Sequence, residues 1–348
     1  MKSKKAILLT LAILAISVVI SFFVTSFAEG GFSKKRNLTV VFYNVENLFD
    51  TKNDLGDRDG EFTPAGANKW TEERYSKKLE DISKVLSSVN KNELPEIIGL
   101  CETENRKVLD DLVKTKQLKN GDYEIEQFES PDYRGIDCAL LYRPDEFKVL
   151  QSTPVHVTFA DDPEYTTRDI LYVKGETRNR EEFHIFVNHW PSRIGGQEQT
   201  EPKRIAVAQL LKSKIDSMQK VNPAANIIVM GDMNDEPSDK SLKEVLAAKN
   251  PDSENAAFVN LMYPIHANKK GSYNYRGTWN MLDNIIVSAG LLDNKGFQCI
   301  ERHGYVFHEK WMEYEDKKNG MTPNRTYGGP NYYGGVSDHF PVFIQLSF

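Results

Sequence analysis

Residues 227–234 have the sequence IIVMGDMN, an apolar run that ends in two polar side chains. Because the apolar residues are consecutive rather than alternating, both faces of the segment avoid water, which is typical of a strand buried between two layers. Asp232 and Asn234 are two positions apart, and residues at that spacing in an extended chain point the same way. The segment therefore predicts a central strand with a polar pair at its end.

Five other apolar runs carry polar residues at one end. These residues are Asn44 and Glu46, Glu102, Asn188 and His189, Asp283, and Asp338 and His339. Any one of them could cap a helix or form a turn. Six such ends together, rich in carboxylates, amides and histidines, indicate one site assembled from several strands. In particular, Asn44 and Glu46 are expected to point together into one cleft.

Strand-like and helix-like segments alternate along most of the chain. The predicted strands are 38–44, 97–102, 136–142, 155–159, 170–174, 183–188, 227–231, 283–288 and 341–346, and the predicted helices are 72–89, 106–117, 202–219 and 239–248. No obvious linker divides them, so we expect a single α/β domain over residues 38–348. Two long loops are expected at 50–67 and 303–336. The second is crowded with tyrosine, tryptophan and glycine, and loops of that length tend to be functional.

Residues 1–28 have the features of an export segment. Lys2, Lys4 and Lys5 precede an uncharged run over 6–28, and Ser26 and Ala28 are small enough for a cleavage site. The run is also close to the roughly 20 residues that span a bilayer. The sequence predicts a cleaved signal peptide or a membrane anchor, then a polar linker at 29–37. Either alternative places the domain outside the cytoplasm, as a secreted, periplasmic or membrane-anchored protein.

Charge and cysteine content narrow the functional classes. The formal net charge is −6, so the chain lacks the basic footprint of a protein that binds nucleic acid without sequence preference. A nuclease is disfavoured but not excluded by this charge, because a metal ion and a few arginines can hold a phosphate. The three cysteines, Cys101, Cys138 and Cys299, are too few and too widely spaced for a disulfide framework or a zinc site, and we expect them to be small core residues.

The polar strand ends predict phosphoryl chemistry with a divalent cation. Carboxylate and amide oxygens are the ligands that Mg²⁺, Mn²⁺ and Ca²⁺ prefer, and Mg²⁺ is the expected ion. Histidines beside such an ion suit phosphoryl transfer, in which catalysis is mainly positioning and charge stabilisation.

Six motifs taken in chain order resemble those of the endonuclease/exonuclease/phosphatase superfamily. They are NVENL at 44–48, the strand end at Glu102, NH at 188–189, GDMN at 231–234, LDNIIV at 282–287 and SDHFPV at 337–342. The superfamily includes pancreatic-type deoxyribonuclease, abasic-site endonucleases, sphingomyelinases and inositol-polyphosphate phosphatases. The resemblance covers essentially the whole chain from residue 38. It implies a four-layered α/β/β/α sandwich, in which two mixed sheets pack face to face, helices lie outside and the site lies at the strand ends.

The resemblance also implies which residues hold a metal ion. Glu102 would be the principal ligand, and Asn44, Glu46 and Asp338 would lie beside the ion. Outside the motifs, Arg134 and Arg193 are candidates for binding the phosphate oxygens of the substrate.

The remaining motif residues would act in catalysis. Asp232 would orient or activate the attacking water, and Asn234 would bind the phosphate. His339, oriented by Asp283, would face the scissile phosphate. His189 matches a histidine of the deoxyribonuclease-like and phosphatase branches. The sequence leaves open whether Asp232 or a histidine is the general base.

Three functions are compatible with these features. The leading one is hydrolysis of a phosphodiester in extracellular nucleic acid, DNA or RNA. The second is hydrolysis of a phospholipid, a sphingolipid or a polyol phosphate. The aromatic segment 303–336 could stack bases or contact a membrane, and residues 6–28 could add membrane association. The third, a binding protein without catalysis, is disfavoured by the completeness of the motifs, and no protein partner is implied.

Overall fold

Two large mixed sheets form the framework of the residues that the computed structural model describes, which are 37–53, 59–254 and 256–348. The strands are β1 (Asn37–Leu48), β2 (Ile97–Thr103), β3 (Glu124–Gln127), β4 (Asp137–Tyr142), β5 (Phe147–Val155), β6 (Ile170–Thr177), β7 (Glu182–His189), β8 (Asn226–Asp232), β9 (Ala248–Lys249), β10 (Phe258–Asn260), β11 (Tyr273–Tyr275), β12 (Thr278–Asn280), β13 (Asp283–Ser288), β14 (Tyr305–Val306), β15 (Glu313–Asp316), β16 (Gly320–Pro323), β17 (Tyr327–Gly328), β18 (Asn331–Tyr332) and β19 (Val342–Ser347). The α-helices are α1 (Glu72–Ser88), α2 (Arg106–Val113), α3 (Gln197–Val221) and α4 (Tyr263–Ala267).

The strand order places the motif-bearing strands in the middle of each sheet. The first sheet has the order β14-β19-β1-β2-β4-β3, and the second has the order β5-β6-β7-β8-β13-β10-β9. The pairs β1/β2 and β7/β8 are parallel, whereas β2/β4 and β8/β13 are antiparallel. Three further pairs, β11/β12, β15/β16 and β17/β18, form separate two-stranded ribbons.

The two large sheets pack face to face through one apolar core. Val40 and Phe42 of β1 share this core with Val187 of β7 and Met230 of β8, and all four are fully buried. The sheets approach closely at Gly99, where an added Cβ would lie 2.8 Å from Met230 Cε. Glycine at this position therefore permits the close packing of the layers.

Helices cover the outer faces of both sheets. Val41 of β1 packs with Ile82 of α1 and Val108 of α2 in a second core, and Val229 of β8 packs with Leu211 of α3 in a third. The predicted four-layered α/β/β/α sandwich is confirmed. The compact unit that these layers form covers Leu38–Ser347.

Two predicted elements differ from the structure. No strand forms over 156–159, and strand β5 lies earlier in the chain and ends at Val155. Val157 and Phe159 lie in an irregular segment, where their side chains are buried in the third core. Alternating apolar residues indicate a segment with one buried face. A segment that makes no strand hydrogen bonds can bury such a face as well, so the pattern alone does not establish a strand. The helix predicted at 239–248 is a π-helical turn, Ser241–Val245, followed by β9. Ser241 Oγ donates to Asp235 Oδ2 over 2.6 Å, so a local side-chain contact fixes this turn.

The three cysteines are buried and unpaired, as predicted. The predicted export segment 1–28 lies outside the described residues, as does the linker apart from Asn37. None of the helices in the described ranges is both long and apolar enough to cross a bilayer.

Candidate active site

Three neighbouring strands of the second sheet bring His189, Asp232 and Asp283 side by side. Asp232, at the end of β8, is paired with His189 of β7 on one side and with Asp283 of β13 on the other. All three side chains are buried. The strand register thus collects one imidazole and two carboxylates from three distant motifs.

The first sheet contributes Asn44 and Glu102 through an irregular strand end. Asn44 is paired with Cys101, and beyond that pair the β1/β2 register shifts. Glu46, Asn47 and Glu102 have φ angles of 49°, 54° and 63°. Non-glycine residues adopt this left-handed region at a cost, and such strain gathers at functional sites. The Oε1 atom of Glu102 lies 3.9 Å from Nε2 of His189, so the two sheets meet at this point.

Asp283 holds the ring of His339. His339 Nδ1 lies 2.7 Å from Asp283 Oδ2, and His339 Nε2 lies 3.8 Å from Asp232 Oδ2. Burial lowers the pKa of His339, but the negative charges of Asp283 and Asp232 outweigh burial and raise this pKa well above its ordinary value. The contact predicted between Asp283 and His339 is therefore present, and the imidazole is held as a cation.

A network of hydrogen bonds fixes the loop that carries His339. Ser337 Oγ donates to the Asn44 carbonyl over 2.7 Å and accepts from the His339 amide over 3.1 Å. Ser272 Oγ donates to Asp283, and the Phe340 amide donates to the Ser272 carbonyl over 2.8 Å. The His339 ring consequently has little freedom to turn away from Asp283.

Asp232 lies at the centre of the cleft. Its carboxylate accepts hydrogen bonds from Asn44 Nδ2 at 3.0 Å and from the Asn234 amide at 2.9 Å. Burial raises the pKa of Asp232 to about 6 against the opposing charge of His339, and the charge of Asp283 adds to the increase. Asn234 Nδ2 donates to the Trp190 carbonyl over 3.0 Å. Asp232 can therefore gain or lose a proton close to neutral pH.

Glu102 and His189 lie at the other end of the cleft with Arg134. Glu102 Oε2 is 3.1 Å from Arg134 Nη2 and accepts from the Asn47 amide over 2.9 Å. Burial raises the pKa of Glu102, but the charge of Arg134 and its hydrogen bond to Glu102 hold that pKa well below its ordinary value. Burial, together with the charge of Arg168, lowers the pKa of His189 far below its ordinary value. His189 is consequently neutral, in contrast to His339.

Asp338 lies at the mouth of the cleft with a cation that sequence reasoning missed. Arg325 Nη2 is 3.3 Å from Asp338 Oδ2, and the two side chains are 39% and 24% exposed. An arginine in a polar loop is usually solvated, so nothing in the local sequence distinguishes Arg325. Its position inside the aromatic segment 303–336 was the one available signal.

Glu46 does not share the direction of Asn44, contrary to prediction. Its carboxylate accepts hydrogen bonds from the amides of Thr326 at 2.7 Å and Tyr327 at 3.2 Å. Burial, with the nearby charge of Asp338, raises the pKa of Glu46 to about 7, while the charge of Lys78 opposes the increase. The positive φ of Glu46 breaks the two-residue alternation on which the prediction depended. Glu46 therefore anchors the segment that leads to Arg325 and Asp338.

Arg193 is engaged by neighbouring protein groups. Its Nε donates to the Asn234 carbonyl over 2.6 Å, and its Nη2 lies 2.7 Å from Asp239 Oδ2 and 3.4 Å from Asp235 Oδ1. These contacts support the loop that presents Asn234. Arg134, by comparison, lies directly beside Glu102.

Two groups of side chains have the chemistry to hold a divalent cation. Ligand atoms of Asp232, Asp283 and His339 lie within 4.8 Å of one another. In this group His339 Nδ1 already engages Asp283, which leaves Nε2 as the ring nitrogen that faces Asp232. Three residues that the sequence assigned to the ion, Asn44, Glu102 and Asp338, also offer oxygen donors. Their principal member, Glu102, is held ionised, as a ligand of a hard cation must be.

Comparison with known proteins identifies the family of the chain. A sequence model described as "Endonuclease/Exonuclease/phosphatase family" matches residues 39–347. No curated protein sequence matches the chain.

Several solved structures share the fold. An endonuclease/exonuclease/phosphatase family protein from Bacteroides thetaiotaomicron is 16% identical, with a TM-score of 0.55 over 90% of this chain and 99% of that chain. A mannosyl-6-phosphatase from the same organism is 17% identical, with a TM-score of 0.54 over 89% of this chain and 100% of that chain. TDP2 from D. rerio, complexed with a single-strand DNA product, is 14% identical, with a TM-score of 0.54 over 90% of this chain and 99% of that chain. At these identities the likeness concerns the fold alone.

Proposed function

The chain belongs to the endonuclease/exonuclease/phosphatase family, and on that premise we propose that it hydrolyses a phosphodiester bond in nucleic acid with the help of a divalent cation. The observation that carries the proposal is the contact of His339 with Asp283 beside Asp232. It combines a cationic imidazole with a carboxylate whose pKa is about 6, and both are buried at the edge of one cleft. In phosphoester hydrolysis, a positively charged group such as the imidazolium stabilises the charge on the phosphate, and a base such as the carboxylate takes the proton of the attacking water.

The contacts of the cleft residues support a catalytic or binding role for each of them. Asp232 accepts the proton of the attacking water, because a carboxylate with a pKa of about 6 is ionised at neutral pH yet basic enough to share a proton. His339 donates from Nε2 to a phosphate oxygen, and Asp283 keeps the ring protonated and oriented. Asn234 uses one amide hydrogen for Trp190 and has a second for the phosphate. Arg134 adds positive charge on the side of Glu102.

Glu102 is the residue that we assign to the cation, with Asn44 and Asp338 beside it. A bound divalent cation would polarise a phosphoryl oxygen and neutralise the negative charge that develops on it. Mg²⁺ is the expected ion, and Mn²⁺ and Ca²⁺ have the same preference for oxygen ligands. Arg134 and Arg325 balance Glu102 and Asp338, so each arginine would move when the carboxylate takes another partner.

The proposed location is outside the cytoplasm. This part of the proposal is supported by the basic start and the uncharged run of residues 1–28. A cleaved signal would release the enzyme, whereas a retained segment would anchor it to a membrane through residues 6–28.

A sugar or polyol phosphate is the second candidate substrate. The formal net charge of −6 favours it, because a protein without a basic surface gains little from the charge of a long polyanion. A phosphomonoester of a small alcohol could bind within the active-site cleft and would need no basic surface around it.

A substrate panel separates these candidates. The full chain is incubated with Mg²⁺, Mn²⁺ or Ca²⁺ and single-stranded DNA, RNA, mannose 6-phosphate, inositol phosphates or sphingomyelin. We expect the nucleic acids to be hydrolysed fastest and the Asp232→Asn variant to be inactive on every substrate. Hydrolysis of sugar or polyol phosphates alone would establish the second candidate, and no hydrolysis in any arm would refute both.

A further inference from the structure

Three two-stranded ribbons surround a cleft next to the reaction centre. The ribbons are β11/β12, β15/β16 and β17/β18, and the second and third lie in the aromatic segment 303–336. The cleft has a volume of about 350 Å³, and residues from all three ribbon regions line it together with Arg325 and Asp338. Asn274 Nδ2 donates to the Met321 carbonyl over 3.4 Å and thereby ties the first ribbon to the second. The hydrolysis proposed above makes no use of the tyrosines in this cleft.

Tyr273 connects the cleft to the reaction centre. Its ring centroid lies 4.8 Å from that of His339, and its side chain is hydrogen-bonded to Arg325. Arg325 in turn lies 3.3 Å from Asp338. A group bound in the cleft would therefore be one short linkage away from a phosphate beside His339. The cleft is placed to receive the alcohol that is esterified to that phosphate.

The cleft is lined by tyrosine rings that are about half exposed to solvent. Tyr275, Tyr314 and Tyr333 line it and are 54%, 55% and 61% exposed. Planar bases stack on such rings, and the interaction tolerates any base because every base has a π-face. The guanidinium of Arg276 lies 5.1 Å from the ring centroid of Tyr275 and provides a second stacking surface.

The polar groups of the cleft suit a single nucleoside. The amides of Asn319 and Asn324 can donate to and accept from base edges and ribose hydroxyls. Asp316 and Asp338 also line the cleft, and their charges disfavour a second phosphate. A volume of about 350 Å³ is near the lower end of the roughly 300–1,000 Å³ of small-ligand sites, which suits one nucleoside.

We propose that this cleft binds one nucleoside, the one esterified to the phosphate at His339. The enzyme then acts on nucleotides or on the terminal nucleotide of a strand rather than on the interior of a duplex. The statement that the enzyme acts on nucleotides rests on the proposed hydrolysis. The binding of a nucleoside does not depend on turnover and can be measured alone.

Binding can be measured without hydrolysis in the full chain carrying Asp232→Asn. Isothermal titration calorimetry with thymidine 5′-monophosphate, glucose 6-phosphate and inorganic phosphate is performed with and without Mg²⁺. We expect the nucleotide to bind about ten times more tightly than either other ligand. Adding Tyr275→Leu or Tyr314→Leu should weaken nucleotide binding roughly tenfold, whereas the Phe variants, which keep the ring, should bind within about twofold of the parent. Tyr165→Leu is the matched control, because Tyr165 packs on Phe159 and Lys203 outside the cleft.

Three results would overturn the inference. The first is equal affinity for inorganic phosphate and nucleotide, and the second is tighter binding of glucose 6-phosphate than of nucleotide. The third is unchanged nucleotide affinity in both Leu variants. Hydrolysis of bis(p-nitrophenyl) phosphate by the wild type, assayed separately, tests the proposed function, so a failure of one proposal is distinguished from a failure of the other.

Discussion

His339 and His189 lie in the same cleft but differ in charge, and their neighbours explain why. His339 contacts Asp283 and faces Asp232, so negative charges outweigh its burial. His189 also faces Asp232 and Glu102, but burial and the positive charge of Arg168 dominate. The two imidazoles therefore have different uses: the first can donate a proton or a charged hydrogen bond, whereas the second cannot supply positive charge at neutral pH.

The Asp283→Asn substitution tests the origin of the charge on His339. The carboxylate raises the pKa of His339, so its removal should lower that pKa. Activity that needs the imidazolium is present below this pKa and is lost as the pH rises through it. We expect the alkaline limb of the kcat/KM profile to move to lower pH in the variant. An alkaline limb at the wild-type position would contradict the assignment.

Removal of the imidazole should cost more than removal of its partner. The His339→Ala variant is expected to lose roughly 10²–10⁴ in rate, the range of a positioned acid–base group. The effect of Asp283→Asn should be smaller, and the double variant should be far from additive because the two residues act as a unit. Single-turnover rates of the four proteins provide the check, and additive losses would show that the residues act independently.

The Glu102→Gln substitution tests the cation site. The amide keeps the shape of the side chain but loses the charge that a hard cation requires. We expect Mg²⁺ to raise the melting temperature of the wild type and to leave that of the variant unchanged, and we expect chelators to abolish wild-type activity. Without Mg²⁺ the variant should melt close to the wild type, because the amide can still accept the hydrogen bonds that Arg134 and the Asn47 backbone amide donate to Glu102. Full activity in excess chelator would refute the cation mechanism.

Residues adjacent to regular strands could be placed from sequence, and residues after a backbone irregularity could not. Asp232 and Asp283 lie at the ends of strands whose apolar runs are unambiguous, so their convergence could be predicted. Glu46 and Asn47 follow the register shift of β1, where two-residue alternation no longer determines direction. Arg325 enters the site only through long-range packing of the aromatic segment.

At the scale of elements, a buried lysine connects α1 to the segment that carries Arg325 and Asp338. Lys78 of α1 is 2% exposed, and its Nζ donates to Thr326 Oγ1 over 2.5 Å and to the Val336 carbonyl. Glu46 of β1 accepts from the backbone of the same segment. Burial lowers the pKa of Lys78 to about 8, against the charges of Glu46 and Asp338. Lys78 and Glu46 thus hold α1, β1 and the segment that carries Arg325 and Asp338 together through buried hydrogen bonds.

The Lys78→Met variant should be strongly destabilised. The substitution removes the buried donor of the Thr326 hydroxyl and the Val336 carbonyl, at a cost of about 1–3 kcal/mol for each group, and it removes the charge that opposes the raised pKa of Glu46. The cost should be larger at pH 8 than at pH 6, because Glu46, with a pKa of about 7 already in the wild type, can escape the penalty by protonation at low pH. Urea unfolding at both pH values measures this. Lys77→Met is the control, because Lys77 is 51% exposed on the same helix. An equal loss of unfolding free energy in the two variants would show that the buried Lys78 contributes no more to stability than the exposed Lys77.

At the scale of the whole molecule, the burial of the central strands was predictable from their pattern, the four-layered sandwich followed from the family resemblance, and the ribbons were not predicted. The central strands are long and apolar on both faces, which only burial between layers explains. The ribbons β15/β16 and β17/β18 are short and partly exposed, so their local patterns resemble those of ordinary loops. They pair because the aromatic residues of segment 303–336 pack on one another and on α1, as Tyr327 does on Tyr332 and Arg74 on Tyr332. Such contacts leave no periodic signal in the sequence.

The last prediction concerns the boundary of the folded unit. All three hydrophobic cores consist of residues between Leu38 and Leu346, and the compact unit is Leu38–Ser347. A chain that begins at residue 36 should therefore be soluble, should melt within a few degrees of the full chain in detergent, and should unfold in one cooperative transition. One transition is expected because the core between the sheets belongs to both of them, so neither sheet can keep its packing when the other unfolds. Differential scanning calorimetry of both chains provides the measurement. An insoluble or unfolded shorter chain, beside a folded full-length chain, would show that residues 1–35 take part in the fold and would argue against an export segment.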